Sequence, residues 1–564
     1  MPGSSAIPFV VGITGHRDCD PACHEAMRSA LLRVLDGLVA DMPATPIFVV
    51  SGLAAGADQL ASEWALEWGR RQKLLPDGGS RVSLVAALPM PLDDYAADFL
   101  GDPPARAKLD ALLAASAFTI TIAAGVDGAH DREAAYANLG SFLAEQSQLL
   151  VAFWDGVRTL KRGGTYHVIQ KCVRNDPDAA ALDSQFHRRR HLLVTPTDVD
   201  VRIIPVRRVG AEGSGILAGA IPATADSHAD FRARLDRLNS ELTSATTSEP
   251  VSGIHGVLAR RFEVIDGVAS RMKRSFLRHV TAISLVSVLA ILCFQVFNFM
   301  SSVGWAALGY IALTAAAMAW FCVLRHYSSI EWIFVYARAI AEAMRVQLAW
   351  SESGMNERVS DLYMSRRSVD VGLLRRLVAA ATIETFADGA RRVDGALNPA
   401  PARDWIDGQR RYMSSRIAGA STRMTPGGIP QSLLRAVVRF HAWIIVATVA
   451  VLCVAALVAG PSSDGSSGIS EAGRLLPLGF LLIGCVLFVK SGIEYHDSAV
   501  LQREDIDRFR QMLPVYDRAS SMLSAAQTDA DRRRILSALG KEAIDENAEW
   551  FVKHTDALKL PTVG

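Results

Sequence analysis

The chain has 564 residues, half of them hydrophobic, with a formal net charge of +1 and a mean hydropathy of +0.20. That length holds several domains, the hydropathy is high for a purely soluble protein, and the balanced charge excludes a global basic field for nucleic acid. The seven cysteines, four of them inside long apolar runs, argue against a disulfide framework and for a reducing compartment.

The first predicted element is a short apolar strand through Val10 and Val11. It enters the turn Gly12-Ile13-Thr14-Gly15-His16-Arg17, and a helix runs from Pro21 to about Leu38. Glycine lets a backbone come close to a ligand. Bare N–H groups at such a turn, with the positive end of the helix behind them, attract anions. His16 and Arg17 suit phosphate contact; their structural alternatives are a helix-entry cap and a surface ion pair. Cys19 and Cys23 lie near His16 and His24, but no second ligand pair follows at zinc spacing, so no metal is expected. The opening residues lack a basic stretch before a short apolar run, so no secretory leader is expected.

A second strand, Ile47 to Val50, enters Ser51-Gly52-Leu53-Ala54-Ala55-Gly56-Ala57-Asp58, with a helix to about Arg70. Asp58 stands where a carboxylate holds a ribose hydroxyl, or where one favours a helix N-terminus. Val82 to Leu88 reads as the next strand. Pro89 ends it, and a loop carries Asp93, Asp94, Tyr95, Asp98 and Phe99. A helix from Pro103, a strand from Phe118 and a helix from Asp131 follow. The strand Leu149 to Trp154 ends in Asp155-Gly156 and a basic loop with Arg158, Lys161 and Arg162. Gly163-Gly164-Thr165 then opens a helix to Val173, and Val201 to Val206 is the last strand. Alternating strands and helices predict a Rossmann-like α/β domain with a mostly parallel sheet. Three small-residue turns at strand carboxyl ends would converge on one crevice. The run Arg188-Arg189-Arg190-His191 reads as a solvated loop.

These motifs, Gly12 to Arg17, Ser51 to Asp58 and Gly163 to Thr165, resemble the SLOG superfamily, which includes the DNA-processing Smf/DprA proteins and the Lonely Guy phosphoribohydrolases. The resemblance covers roughly Pro8 to Arg208. It implies a domain that binds nucleotides or nucleotide-derived ligands, with contacts from Gly12, Thr14, Gly15, His16, Arg17, Ser51, Gly52, Gly56, Asp58, Asp155, Gly156, Gly163, Gly164 and Thr165. Lonely Guy enzymes carry a catalytic glutamate just after their glycine-glycine-threonine turn. Here the chain continues Tyr166-His167-Val168-Ile169-Gln170, with no carboxylate. That departure favours sensing over hydrolysis, with no catalytic residue and no cofactor assigned.

Beyond a linker with coupling helices over 210–276, four apolar runs read as membrane spans. The first two, Leu277 to Phe299 and Gly304 to Val323, form a hairpin within 277–324; the second pair, Phe440 to Ala459 and Leu475 to Val489, a hairpin within 440–489. Arg271, Lys273, Arg274, Arg278, Arg325, Arg435, Arg439 and Lys490 flank them on one side, while the outer loops hold only Arg474. That asymmetry places 1–209, the helical region 325–439, the helical tail 490–564 and both termini in the cytoplasm. Paired hairpins resemble the SLATT membrane modules that accompany SLOG domains in bacterial conflict systems. The two resemblances together imply an inner-membrane effector that senses a nucleotide-derived second messenger and forms a pore or disrupts the bilayer, in antiphage defence, as a homo-oligomer without nucleic acid. The alternatives are a membrane-anchored nucleotide hydrolase or transferase, and a receptor that recruits a partner without forming a pore.

Overall fold

The computed structural model describes residues 5–75, 78–122, 132–173, 178, 199–209, 229–245, 254–299, 304–327, 330–355, 357–363, 369–387, 397–419 and 502–559. Six strands form one sheet: β1 Phe9–Gly15, β2 Ile47–Ser51, β3 Val82–Leu88, β4 Phe118–Thr121, β5 Leu149–Trp154 and β6 Asp200–Pro205. Their order is β4-β3-β2-β1-β5-β6, and every pairing is parallel. Both faces are covered, so β2, β3 and β5 are buried at every position and read as continuous apolar runs. In the register, Val11 of β1 lies beside Val49 of β2, and Ile13 beside Val151 of β5.

The helices fall between the strands: α1 His24–Asp41, α2 Ala57–Gly69, α3 Leu92–Ala96, α4 Pro103–Ala115, α5 Arg132–Gln146, α6 Thr165–Val173 and α7 Ala229–Ser244. Asp102 caps α4, accepting from the Ala105 N–H at 3.0 Å, and Pro103 starts it at a position that needs no N–H. The stretch after Pro91, expected as a loop, is instead α3 followed by a 3-10 turn, Ala97–Phe99. Tyr95 explains it. Its side chain is fully buried, its hydroxyl donates to the Gly52 carbonyl at 2.9 Å, and its ring meets Phe99 edge-on.

The chain divides into two compact units. One comprises residues 1–270, 332–405 and 526–564; the other comprises 271–331 and 406–525. In the first, the sheet domain is joined by α10 Ile330–Ser353 from residue 332 onward, by α11 Val369–Ala381, and by α14 Asp529–Lys559. Arg261 and Glu384 form a buried two-pronged ion pair at 2.7 and 2.8 Å, and Arg261 also donates to the Ala381 carbonyl. The Arg358 guanidinium lies over the rings of Phe386 and Phe142, the latter on α5. Asn547 of α14 donates to the Ala339 carbonyl and the Tyr363 hydroxyl at 2.9 and 2.7 Å. The sequence groups 490–564 as one tail, whereas the compact units divide it after Ala525.

The second unit contains most of α9 Gly304–Tyr327, α12 Pro399–Gly419 and α13 Gln502–Ala525. The first apolar run lies on the later part of the long helix α8 Ile254–Phe299, the second on α9. The runs at 440–459 and 475–489, the linker 210–228 and the basic run from Arg188 lie outside the described residues. Among the described residues, no helix is long and apolar enough to cross a membrane.

Candidate functional site

In this strand order the chain reverses direction between β1 and β5. One half winds outward from β1 to β4, and the other begins at β5 on the opposite flank. In open parallel sheets the crevice beyond the strand carboxyl ends at such a reversal is where ligands bind. The three turns singled out in the sequence follow β2, β1 and β5, which are adjacent strands. They therefore stand side by side at one edge of the sheet.

His16 leaves β1 and Asp155 leaves β5 across this reversal. His16 Nε2 lies 3.1 Å from Asp155 Oδ1, and both side chains are largely buried. The Asp155 carboxylate also accepts from the Val157 N–H at 3.0 Å, which closes its own turn. Its second oxygen lies 3.8 Å from Arg208 Nη1. Arg208 in turn grips Asp18 with Nε at 2.9 and 3.0 Å and Nη2 at 2.8 Å. That grip holds the Asp18 carboxyl below its ordinary range. A chain of close polar contacts results: His16, Asp155, Arg208, Asp18.

Arg17 is the exposed member of the first turn, but it is already engaged. It donates to Asp98 at 3.1 Å and to the Tyr136 hydroxyl at 2.7 Å, and lies over the Tyr136 ring. Arg132 and Tyr136 also hydrogen-bond to Asp98. Burial works against the Asp98 charge, yet Tyr136 and Arg17 hold its carboxyl below the usual range. Burial, with Asp98 beside it, pushes the Tyr136 hydroxyl up to about 12.

Asp58 sits in the first turn of α2, beneath the crevice. It is 7% exposed, and its Oδ1 has no hydrogen-bond partner among the described residues. Burial pushes its carboxyl up to about 7, against the pull of Arg17 and of the backbone at Ala54 and Gly15.

Most of the predicted glycines serve close passage of chain over chain. Gly56, with φ of 89°, brings α2 so near the first turn that a Cβ there would lie 2.2 Å from the Arg17 carbonyl oxygen. Gly15 meets Ala57, and Gly52 meets Leu139. Gly12 is buried inside β1, where a Cβ would lie 2.4 Å from Ser147 Oγ. Gly163, with φ of 70°, packs on Tyr136, and its N–H donates to His167 Nδ1 at 3.0 Å. Gly156 also takes a positive φ, in the turn that Asp155 closes. Thr14, Ser51 and Thr165 are buried; the Ser51 hydroxyl accepts from the Leu53 N–H at 3.1 Å.

Asp18, Arg132 and Arg208 are not among the residues the sequence motifs single out, and Asp98 and Tyr136 stand out there only as members of their elements. Asp18 follows the first turn directly, whereas Asp98, Arg132, Tyr136 and Arg208 come from distant parts of the chain, so no local motif marks the set. No protein-family model matches the chain, and no curated protein matches it.

Proposed function

We propose that this chain is a membrane-embedded sensor and effector, whose cytoplasmic α/β domain binds a nucleotide-derived anion at the β1–β5 reversal. The observation that carries the reading is the placement of His16 and Asp155, at 3.1 Å, where three small-residue turns meet at the carboxyl edge of a parallel sheet. The N–H groups of His16, Ala57, Gly163 and Gly164 donate within the fold, so phosphate would be received by other backbone N–H groups of the turns. The membrane part is supported by the hydropathy of the four runs and by apolar side chains left exposed on α8 and α9, among them Leu285, Leu289, Trp305, Leu308 and Ile311. Exposed large apolar side chains on two such helices are suited to contact with lipid or with another chain. The SLOG and SLATT resemblances assign the output: a pore or disrupted bilayer in bacterial antiphage defence, in an oligomer of this chain. Ligand acts by binding two arrangements of the domain unequally.

A second reading, a membrane-anchored nucleotide hydrolase, is favoured by Asp58. A buried carboxyl with a partnerless oxygen and a pKa near 7 is suited to a general base. Mass spectrometry of small molecules that copurify with the full chain tests both readings. An intact nucleotide-derived anion, with potassium leakage from liposomes when it is added, supports the sensor. Turnover products without leakage support the hydrolase, and no bound nucleotide species removes both.

A further inference from the structure

A concavity lies at the edge of the sheet opposite His16 and Asp155. Phe9, Leu149 and Asp200 are the first residues of β1, β5 and β6, and all three line a cavity of about 340 Å³ between α1 and α7. His16 and Asp155 follow the carboxyl ends of β1 and β5, so the two sites occupy opposite edges of the sheet. The volume falls at the small end of ligand pockets.

Its surface has two characters. Phe9, Val34, Leu149 and Phe231 supply an apolar floor, with the Phe9 and Phe231 rings 6.3 Å apart. Around it stand three guanidiniums, Arg33, Arg202 and Arg232. Two carboxylates oppose them: Asp41 pairs with Arg232 at 3.0 Å and Asp200 with Arg202 at 3.5 Å. The lining therefore carries one more positive charge than negative. At Gly37, also in the lining, an added Cβ would meet nothing within 4 Å.

We propose that this groove is a small-molecule site for an amphipathic anion: an aromatic or short acyl group that bears a carboxylate, phosphate or sulfonate. The apolar part lies on the phenylalanine floor, and the head group meets Arg33 and Arg202. A planar guanidinium presents paired donors that match such oxyanions. The ligand would bridge α7 to the sheet. That wall is already tied down at its far end, where Asn239 of α7 accepts from the Ile7 N–H at 2.8 Å and donates to the Ile7 carbonyl at 2.9 Å.

Isothermal titration of the detergent-solubilised full chain with phenyl phosphate and with benzoate tests this. Saturable binding of at least one probe is expected. Gly37→Leu fills the open space on an exposed helix face and Arg33→Glu reverses the rim; each should weaken binding at least tenfold, and Arg33→Lys should weaken it less. His16→Ala, at the other edge, should leave the affinity unchanged. Far-ultraviolet circular dichroism verifies that each variant is folded. No saturable binding of either probe, or binding indifferent to both groove variants, overturns the proposal. So does binding that falls in His16→Ala, because the probe would then occupy the β1–β5 crevice.

Discussion

His16 Nε2 and Asp155 Oδ1 meet at 3.1 Å across the strand reversal, joining the ends of two strands that are neighbours in the sheet and distant in the chain. A pair that bridges the two halves of the sheet contributes to stability as well as to any ligand. A double-mutant cycle with His16→Ala and Asp155→Ala should give a coupling of about 0.5–2 kcal/mol in denaturant unfolding. Coupling within error of zero would mean that the two side chains are neighbours without interacting. Asp155→Ala also frees the Val157 N–H, so its single cost should exceed that of His16→Ala.

Asp58 predicts a pH dependence of definite sign. Its carboxyl titrates near 7 in the fold against an ordinary value of 3.8, so between those values the folded chain holds the extra proton. Stability contributed at this position is therefore full below about pH 4 and declines as pH rises through 7. Asp58→Asn, which keeps the shape and removes the charge, should raise stability at pH 8 by roughly 2–4 kcal/mol and change it little at pH 4. Equal effects at both pH values would show that Asp58 is ionised in the fold throughout.

Two glycines predict opposite outcomes for the same substitution. Gly540 of α14 lies against the fully buried Trp350, where a Cβ would sit 2.0 Å from Cζ2. Gly540→Ala should destabilise by roughly 1–3 kcal/mol, because neither the helix nor the indole can yield cheaply. Gly37→Ala should be neutral or stabilising by up to about 1 kcal/mol, through helix propensity alone. Thermal unfolding of both variants decides it; a stable Gly540→Ala would mean that α14 and α10 pack less closely than described.

The sheet is legible because buried parallel strands are continuous apolar runs: five strands lie within a residue of their expected bounds, while β1 runs on to Gly15, four residues past Val11. Helix α3 was not, because a short helix fixed by one buried tyrosine leaves no period to read. The first expected turn begins too early, because Gly12 to Gly15 are still paired in β1, and a glycine's purpose is invisible in a sequence. Gly12 looks like part of an anion cradle and is a packing position under Ser147, so its variants would report folding rather than binding. Arg17 looks free for phosphate and is spoken for by Asp98 and Tyr136, which the sequence places far away. Arg208 had no signal at all: it reaches the crevice because the chain after β6 runs antiparallel beside Cys19.

The membrane reading makes its own prediction. On the proposed membrane reading, the flanking arginines and lysines would put the loop 460–474 outside and the region 325–439 inside. A cysteine introduced at Ser466 should react in intact cells with an impermeant thiol reagent, and one at Ser414 should not. Labelling of Ser414 alone would invert the orientation, and labelling of both would remove the hairpins.

The buried pair Arg261 and Glu384 separates structural from coupling roles in α8. The two side chains are 2% and 3% exposed, and both terminal guanidinium nitrogens engage the carboxylate. Removing one partner strands the other charge without water. Glu384→Gln should therefore cost about 3–5 kcal/mol in unfolding free energy. The double change Arg261→Met with Glu384→Leu removes both charges and keeps most of the volume, so it should recover most of that loss. The double variant then asks a functional question that Glu384→Gln cannot, because it folds. Arg261 lies on the segment of α8 that precedes the first apolar run, and the Glu384 turn also carries Phe386, which meets Phe142 of α5 edge-on at 6.0 Å. Helix α5 holds Tyr136 at the crevice rim. If α8 transmits the state of the crevice, the double variant should retain binding of the copurifying anion while its potassium leakage no longer responds to that anion. Leakage that responds as in the unaltered chain would show that this ion pair holds α8 in place and transmits nothing.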